Sequence, residues 1–148
     1  MAEEKYWEEE MKTHENIIFS CYTGLSDASI TSASACLKVV RELGLEKVAI
    51  SGLGALPLGV KPVLGKTKAA KKVITVDGCP SECARQTVEQ SGFKVTRSIV
   101  LTRDTGMEKK ALHEDINENI KGVMEYVSDD EVKVAKELTL KSISDGSG

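Results

Sequence analysis

The 148-residue chain has no apolar run long enough to cross a bilayer, so a membrane-spanning protein is not expected. It also lacks a basic surplus. Twenty lysines and arginines face 23 acidic residues, and the basic ones are scattered, which argues against a nucleic-acid partner. A secretory leader is not expected either, because "MAEEKYWEEEMK" is acidic where such a leader is basic and then apolar. The expected location is therefore the cytoplasm. Histidine is scarce: His14 and His113 are both expected at the surface, and His113 is at most a remote candidate ligand. A second domain is not expected in this length, since a chain of this size buries about two-thirds of its unfolded surface around one core.

Two phosphate-binding signatures are begun and not completed. "GLGALP" starts like a dinucleotide fingerprint but has Pro57 where the last glycine belongs. "GVKPVLGKT" contains the GKT of a Walker loop, yet Gly59 lies one residue too far upstream. The glycine loop is expected to shape the rim of a crevice, with Gly52 and Gly54 allowing close backbone approach. The lysines from Lys66 to Lys72 read as a solvated face.

What the chain does have is four cysteines, Cys21, Cys36, Cys79 and Cys83. Without a leader, an even count points to reduced thiols, metal ligation or thiol chemistry rather than disulfides. A core of this size needs no covalent staples.

Apolar patterning places these cysteines on a framework. "NIIFSCYTG" (16–24) reads as a buried strand ending in a turn. "SDASITSASACLKVVRELG" (26–44) has helix caps at both ends and apolar residues at Ala33, Cys36, Leu37, Val40 and Leu43. Further strands are expected at 47–51, 72–76 and 93–102, with a brief helical turn over 66–71. A helix over 80–91 has Pro80 in its first position and a glycine just past its end. Leu112, Ile116, Ile120, Val123 and Val127 recur at helical spacing, and the last helix opens with Ser128 and Glu131 as a capping box. Strands alternating with helices predict an α/β fold: one domain with a mostly parallel sheet of about four strands covered by helices on both faces, a Rossmann-like three-layer arrangement. That domain is expected over 16–141. It is preceded by an acidic helix or tail (1–15) and followed by a flexible tail (142–148).

In such a sheet, ligands collect beyond the carboxyl ends of the strands. Cys21 ends the first strand and Asp77 to Cys79 end the third, so Cys21 can approach Cys79. Cys83 lies four residues after Cys79, one helical turn away. With Cys79 at the helix N-cap, the helix dipole lowers its pKa. Gly78 provides a sharp turn between strand and helix. Asp77 either ligates directly or accepts a hydrogen bond that orients the turn. Cys36 falls on the apolar face about nine residues into its helix, on the order of 13 Å from the site, and reads as a buried structural cysteine.

Zinc suits soft sulfur ligands, and three protein ligands mark a reactive rather than a purely structural site. An iron–sulfur cluster fits less well, because three cysteines leave it one ligand short. "CPSECAR" also satisfies the CxxxxxR spacing of an oxyanion loop, with Cys79 as nucleophile and Arg85 as clamp, although Pro80 removes one of the N–H groups such a loop needs. Asp104 and Gly106, just beyond the fourth strand, read as a turn that reaches the same edge.

"VDGCPSECA" closely resembles the central motif of the DGC-domain family, which is named for Asp-Gly-Cys and associated with zinc binding. The likeness extends from "SCYTGLSDAS" through "ISGLGA" and "VDGCPSECARQTVEQSGF" to "TRDTGMEKK", roughly 17–110. It implies zinc as cofactor and Cys21, Cys79 and Cys83 as ligands. Zinc-binding members also carry a cysteine just before the second-strand glycines, where this chain has Ala49, and Cys36 is not at the matching position.

Three functions follow as expectations. One is a metal-binding module for structure, delivery or sensing. Another is a thiol-dependent enzyme, redox or sulfur/phosphoryl transfer, using Cys79 and Cys83. The third is an interaction subunit with a vestigial site, docking a protein partner or a second copy of itself through Tyr6, Trp7 and Met11 or through its late helices.

Overall fold

The computed structural model describes residues 14–23, 25–115 and 122–145. The N-terminal segment up to residue 13, with Tyr6, Trp7 and Met11, lies outside the described residues, as do Ile116, Ile120 and 146–148. Four strands, β1 (Asn16–Ser20), β2 (Val48–Ile50), β3 (Lys72–Asp77) and β4 (Arg97–Val100), form one sheet in the order β2-β1-β3-β4. Every pairing is parallel, with Ile18 opposite Ile50 and Ile74, and Val76 opposite Ile99. The predicted α/β class and parallel sheet are thus observed.

Strand alternation divides the core between the two faces of the sheet. Ile18, Val48, Ile74, Val76 and Ile99 pack on one face with residues of α1 (Asp27–Leu43) and α5 (Asp129–Ser144). Ile17, Phe19 and Val73 pack on the other with Val63 and Leu64 of α2 (Lys61–Ala69) and Val88 of α3 (Cys83–Gln90). The result is a three-layer fold.

The α1 caps work as the sequence predicts. The Ser26 hydroxyl accepts from the Ser29 N–H at 3.2 Å, and Gly44, at φ 86°, donates its N–H to Val40 O at 2.8 Å. Ser128 likewise caps α5 by accepting from the Glu131 N–H at 3.4 Å. That helix runs to Ser144 and buries Ile143, so regular structure continues past residue 141.

Several boundaries differ from expectation. Helix α2 begins at Lys61, earlier than the brief turn predicted over 66–71, because Pro62 sits in its first turn with φ already set for a helix. Strand β4 is only four residues long. Phe93 and Val95 pack into the second core before it starts. The Asp104 carboxylate accepts from the Val100 N–H at 2.8 Å and turns the chain into the single helical turn α4 (Leu101–Asp104). Among the described residues, the helical spacing after Gly106 is represented by two 3-10 turns, Leu112–Asp115 and Val123–Tyr126.

Lys72 does not belong to a solvated face. It is only 8% exposed, and its ammonium donates to the backbone carbonyls of Ser142 (3.4 Å), Ile143 (2.8 Å) and Asp145. A lysine at the start of a central strand thus completes the C-terminal end of α5, where four carbonyls lack helical partners.

Candidate thiolate site

The C-terminal ends of β1 and β3 carry the site. Cys21 follows β1 directly, and its N–H donates to Val76 O of β3 at 3.1 Å, so parallel pairing continues into the residue that bears the thiol. Asp77, the last residue of β3, and Gly78 are buried and lead into a turn in which the Glu82 N–H donates to Cys79 O at 3.2 Å. Pro80 occupies the second position of that turn, where its fixed φ is favourable.

Helix α3 therefore begins at Cys83, not at Pro80, and Cys79 is not its N-cap. The capping residue is Glu82, in the left-handed region at φ 48°, and its side chain makes no cap hydrogen bond. Asp77 caps the helix from outside. Its two carboxylate oxygens accept from the N–H groups of Ala84 (2.8 Å) and Arg85 (3.1 Å). Of the two roles foreseen for Asp77, the structure displays the orienting one. The strained Glu82 is held by Arg85 at 2.7 Å and Arg103 at 3.8 Å.

Gly78 is required for space rather than for a positive φ. A Cβ there would stand 2.5 Å from the Ala28 carbonyl carbon, 2.6 Å from its oxygen and 2.7 Å from Ser29 N. The β3–α3 connection is thus pressed against the first turn of α1, and this contact brings the thiols of two chain segments to one rim.

Cys21 and Cys79 are half-buried and Cys83 is exposed. Burial first, and then the charges of Cys83 and Asp77, push the Cys21 thiol up to about 11; the Ser29 hydroxyl opposes this and Cys79 adds to it. For Cys79, partial burial works to raise the thiol, but the Ser81 N–H and hydroxyl and the Lys109 ammonium outweigh it and hold the thiol below its ordinary value. Lys109 Nζ lies 3.8 Å from Cys79 Sγ. Neither Lys109 nor Ser81 is singled out by sequence. Lys109 is 30 residues from Cys79, and its place follows from a tether in which the Asp27 carboxylate accepts from the Lys110 N–H (2.6 Å) and Leu25 O accepts from the Leu112 N–H (2.8 Å).

Cys36 is fully buried in the first core, as expected, and burial pushes its thiol up to about 12. Arg85 pairs with Glu82 and, at 3.6 Å, with Glu89. The N–H groups of Ala84 and Arg85, which an oxyanion would need, are already given to Asp77. Exposed His113 lies in a 3-10 turn. A cavity of about 650 Å3 opens beside the rim, with Cys21 and Cys83 in its wall.

The donor set, three thiols with a carboxylate behind them, suits a soft divalent cation such as zinc. In the arrangement described, no three His, Cys, Asp or Glu side chains among the described residues stand close enough together to hold a metal ion. No helix among those residues is long and apolar enough to cross a membrane.

Fold and rim together define a class, a three-layer α/β domain that gathers cysteines at the carboxyl ends of its central strands. The sequence pattern of the DGC domain matches residues 17–127, and the chain belongs to the DGC-domain family. No curated protein and no solved structure matches the chain.

Proposed function

We propose that the protein binds a soft divalent metal ion, zinc in the first instance, through the thiolates of Cys21, Cys79 and Cys83. The observation that supports this reading is that Cys21, directly after β1, and Cys83, at the start of α3, line one cavity at the carboxyl ends of the strands, with Cys79 in the turn just before α3. Thiolates so placed repel one another, and a divalent cation would turn that repulsion into attraction. Bringing the sulfurs to ligand distance requires movement of the Cys79–Glu82 turn and of Cys21 to Thr23, none of which lies in a helix or strand.

Zinc would supply Lewis acidity at this rim, and the chain's own groups would set its hold. Asp77 fixes the start of α3, and Gly78 fixes the distance to α1. Elemental analysis of protein purified anaerobically without chelator, alongside a count of free thiols, tests the reading. Near-stoichiometric metal that falls sharply in Cys83→Ser supports it, and full occupancy in that variant refutes it.

A second reading, thiol chemistry at Cys79, draws on one specific contact, the Lys109 ammonium beside its sulfur. An amine there stabilises a thiolate, the nucleophilic form. Rapid alkylation of Cys79 in metal-free protein, slowed in Lys109→Met, supports this reading. An ordinary rate in both counts against it.

A further inference from the structure

The cavity at the rim has a composition that thiolate chemistry alone does not use. Beside Cys21 and Cys83 its wall contains Tyr22, Leu37, Ile50 and Leu53. Leu37 belongs by spacing to the apolar face of α1, yet it is 60% exposed, and Tyr22 is 69% exposed. Two large side chains at one opening are thus left uncovered. The cavity opens at the carboxyl ends of the neighbouring strands β1 and β2, and Cys83 reaches it from the start of α3; in open α/β sheets small molecules bind beyond the carboxyl ends of the strands. Its volume of about 650 Å3 suits a small organic ligand. Two other cavities, at the opposite end of the strands, have charged walls, one with Glu15, Glu46 and Lys47 and one with Lys68, Lys94 and Arg97.

We propose that this cleft binds a small organic molecule with a mainly apolar body and one sulfur group, a low-molecular-weight thiol or its disulfide, with the sulfur turned toward Cys21 and Cys83. The sulfur preference rests on the thiolate reading of the rim but requires no metal. The apolar body replaces solvent against Leu37, Ile50 and Leu53. With a disulfide, the Cys83 thiolate attacks one sulfur of the ligand. A bond forms between Cys83 Sγ and that sulfur, the ligand's own S–S bond breaks, and the departing thiolate takes a proton from water, so the ligand disulfide is the oxidant.

The test uses full-length protein with a chelator present. It is treated separately with bis(2-phenylethyl) disulfide and bis(2-hydroxyethyl) disulfide, and labelling of Cys83 is followed by mass spectrometry, each rate divided by that of N-acetylcysteine. The phenylethyl probe is expected to react about tenfold faster than the hydroxyethyl probe, equivalent to roughly 1.4 kcal/mol. Leu37→Asn and Leu53→Asn should each lower the phenylethyl rate more than the hydroxyethyl rate and so erode that preference. Leu37 is already mostly exposed, so its variant should fold. Equal normalised rates on the wild-type protein, or a preference that survives both substitutions, overturns the proposal. Because the chelator removes metal from every arm, failure of zinc binding leaves this result untouched, and the two ideas fail separately.

Discussion

Replacing Gly78 with alanine tests whether steric contact between the β3–α3 connection and α1 builds the rim. The added carbon would stand 2.5–2.7 Å from three backbone atoms of Ala28 and Ser29. Carbon contacts are comfortable at about 3.5–4.0 Å, so one backbone must retreat by roughly 1 Å. Neither is free to do so. Ser29 N is held by the Ser26 hydroxyl at 3.2 Å, and Gly78 O accepts from the Thr102 N–H at 3.2 Å. Overpacking usually costs about 1–3 kcal/mol, and a clash between two pinned backbones belongs at the upper end, about 3 kcal/mol. At about 2–4 °C per kcal/mol for a chain near this size, the melting temperature should fall by about 10 °C. Circular dichroism melts of Gly78→Ala and Gly54→Ala provide the comparison, because nothing lies within 4 Å of a Cβ built on Gly54. If the two variants melt together, close to wild type, the steric account of the rim is wrong.

Asp77→Ala removes both acceptors at the start of α3 and should destabilise the fold by about 2–3 kcal/mol in denaturant titrations near neutral pH; an unchanged midpoint would mean that the cap contributes little. Burial raises the Asp77 carboxyl above its ordinary 3.8 despite the two N–H donors. A raised acid lends its stability fully below 3.8 and loses it as pH climbs through the raised value, so the gap between wild type and variant should narrow from acid to neutral pH. Lys72→Met leaves the last carbonyls of α5 without their ammonium and should cost about 1–2 kcal/mol, with faster hydrogen exchange confined at first to the end of that helix. Cys36→Ala should keep the full metal content of wild type while losing stability through a small core cavity; loss of metal in a folded variant would make Cys36 a ligand after all.

The framework was legible because its signals are local. Ser26 and Gly44 bound α1, Ser128 opens α5, and the apolar runs of β1, β2 and β3 could only be buried strands. Cys36 was legible too, since helical spacing put it on the packed face. The start of α3 was misread for a definite reason. Pro80 resembles a first helical residue, but the acceptors that cap the helix lie at Asp77, in the preceding strand, and the proline is used for a turn instead. Strand β4 was read too long because Leu101 is apolar whether it continues a strand or buries in a helical turn, as it does here. Lys109 left no signal at all, because its neighbour Cys79 is 30 positions away.

By itself, then, the sequence determined the layers, the direction of the strands and which cysteines stand at their carboxyl ends, since these follow from periodicity, caps and the short reach of strand-to-helix connections. Only the tertiary structure decided how the thiols are placed and compensated. The contact of Gly78 with α1, the reach of Lys109 to Cys79 and the exposure of Leu37 over the cleft all join residues far apart along the chain, and such distances are set by packing, which no local pattern encodes.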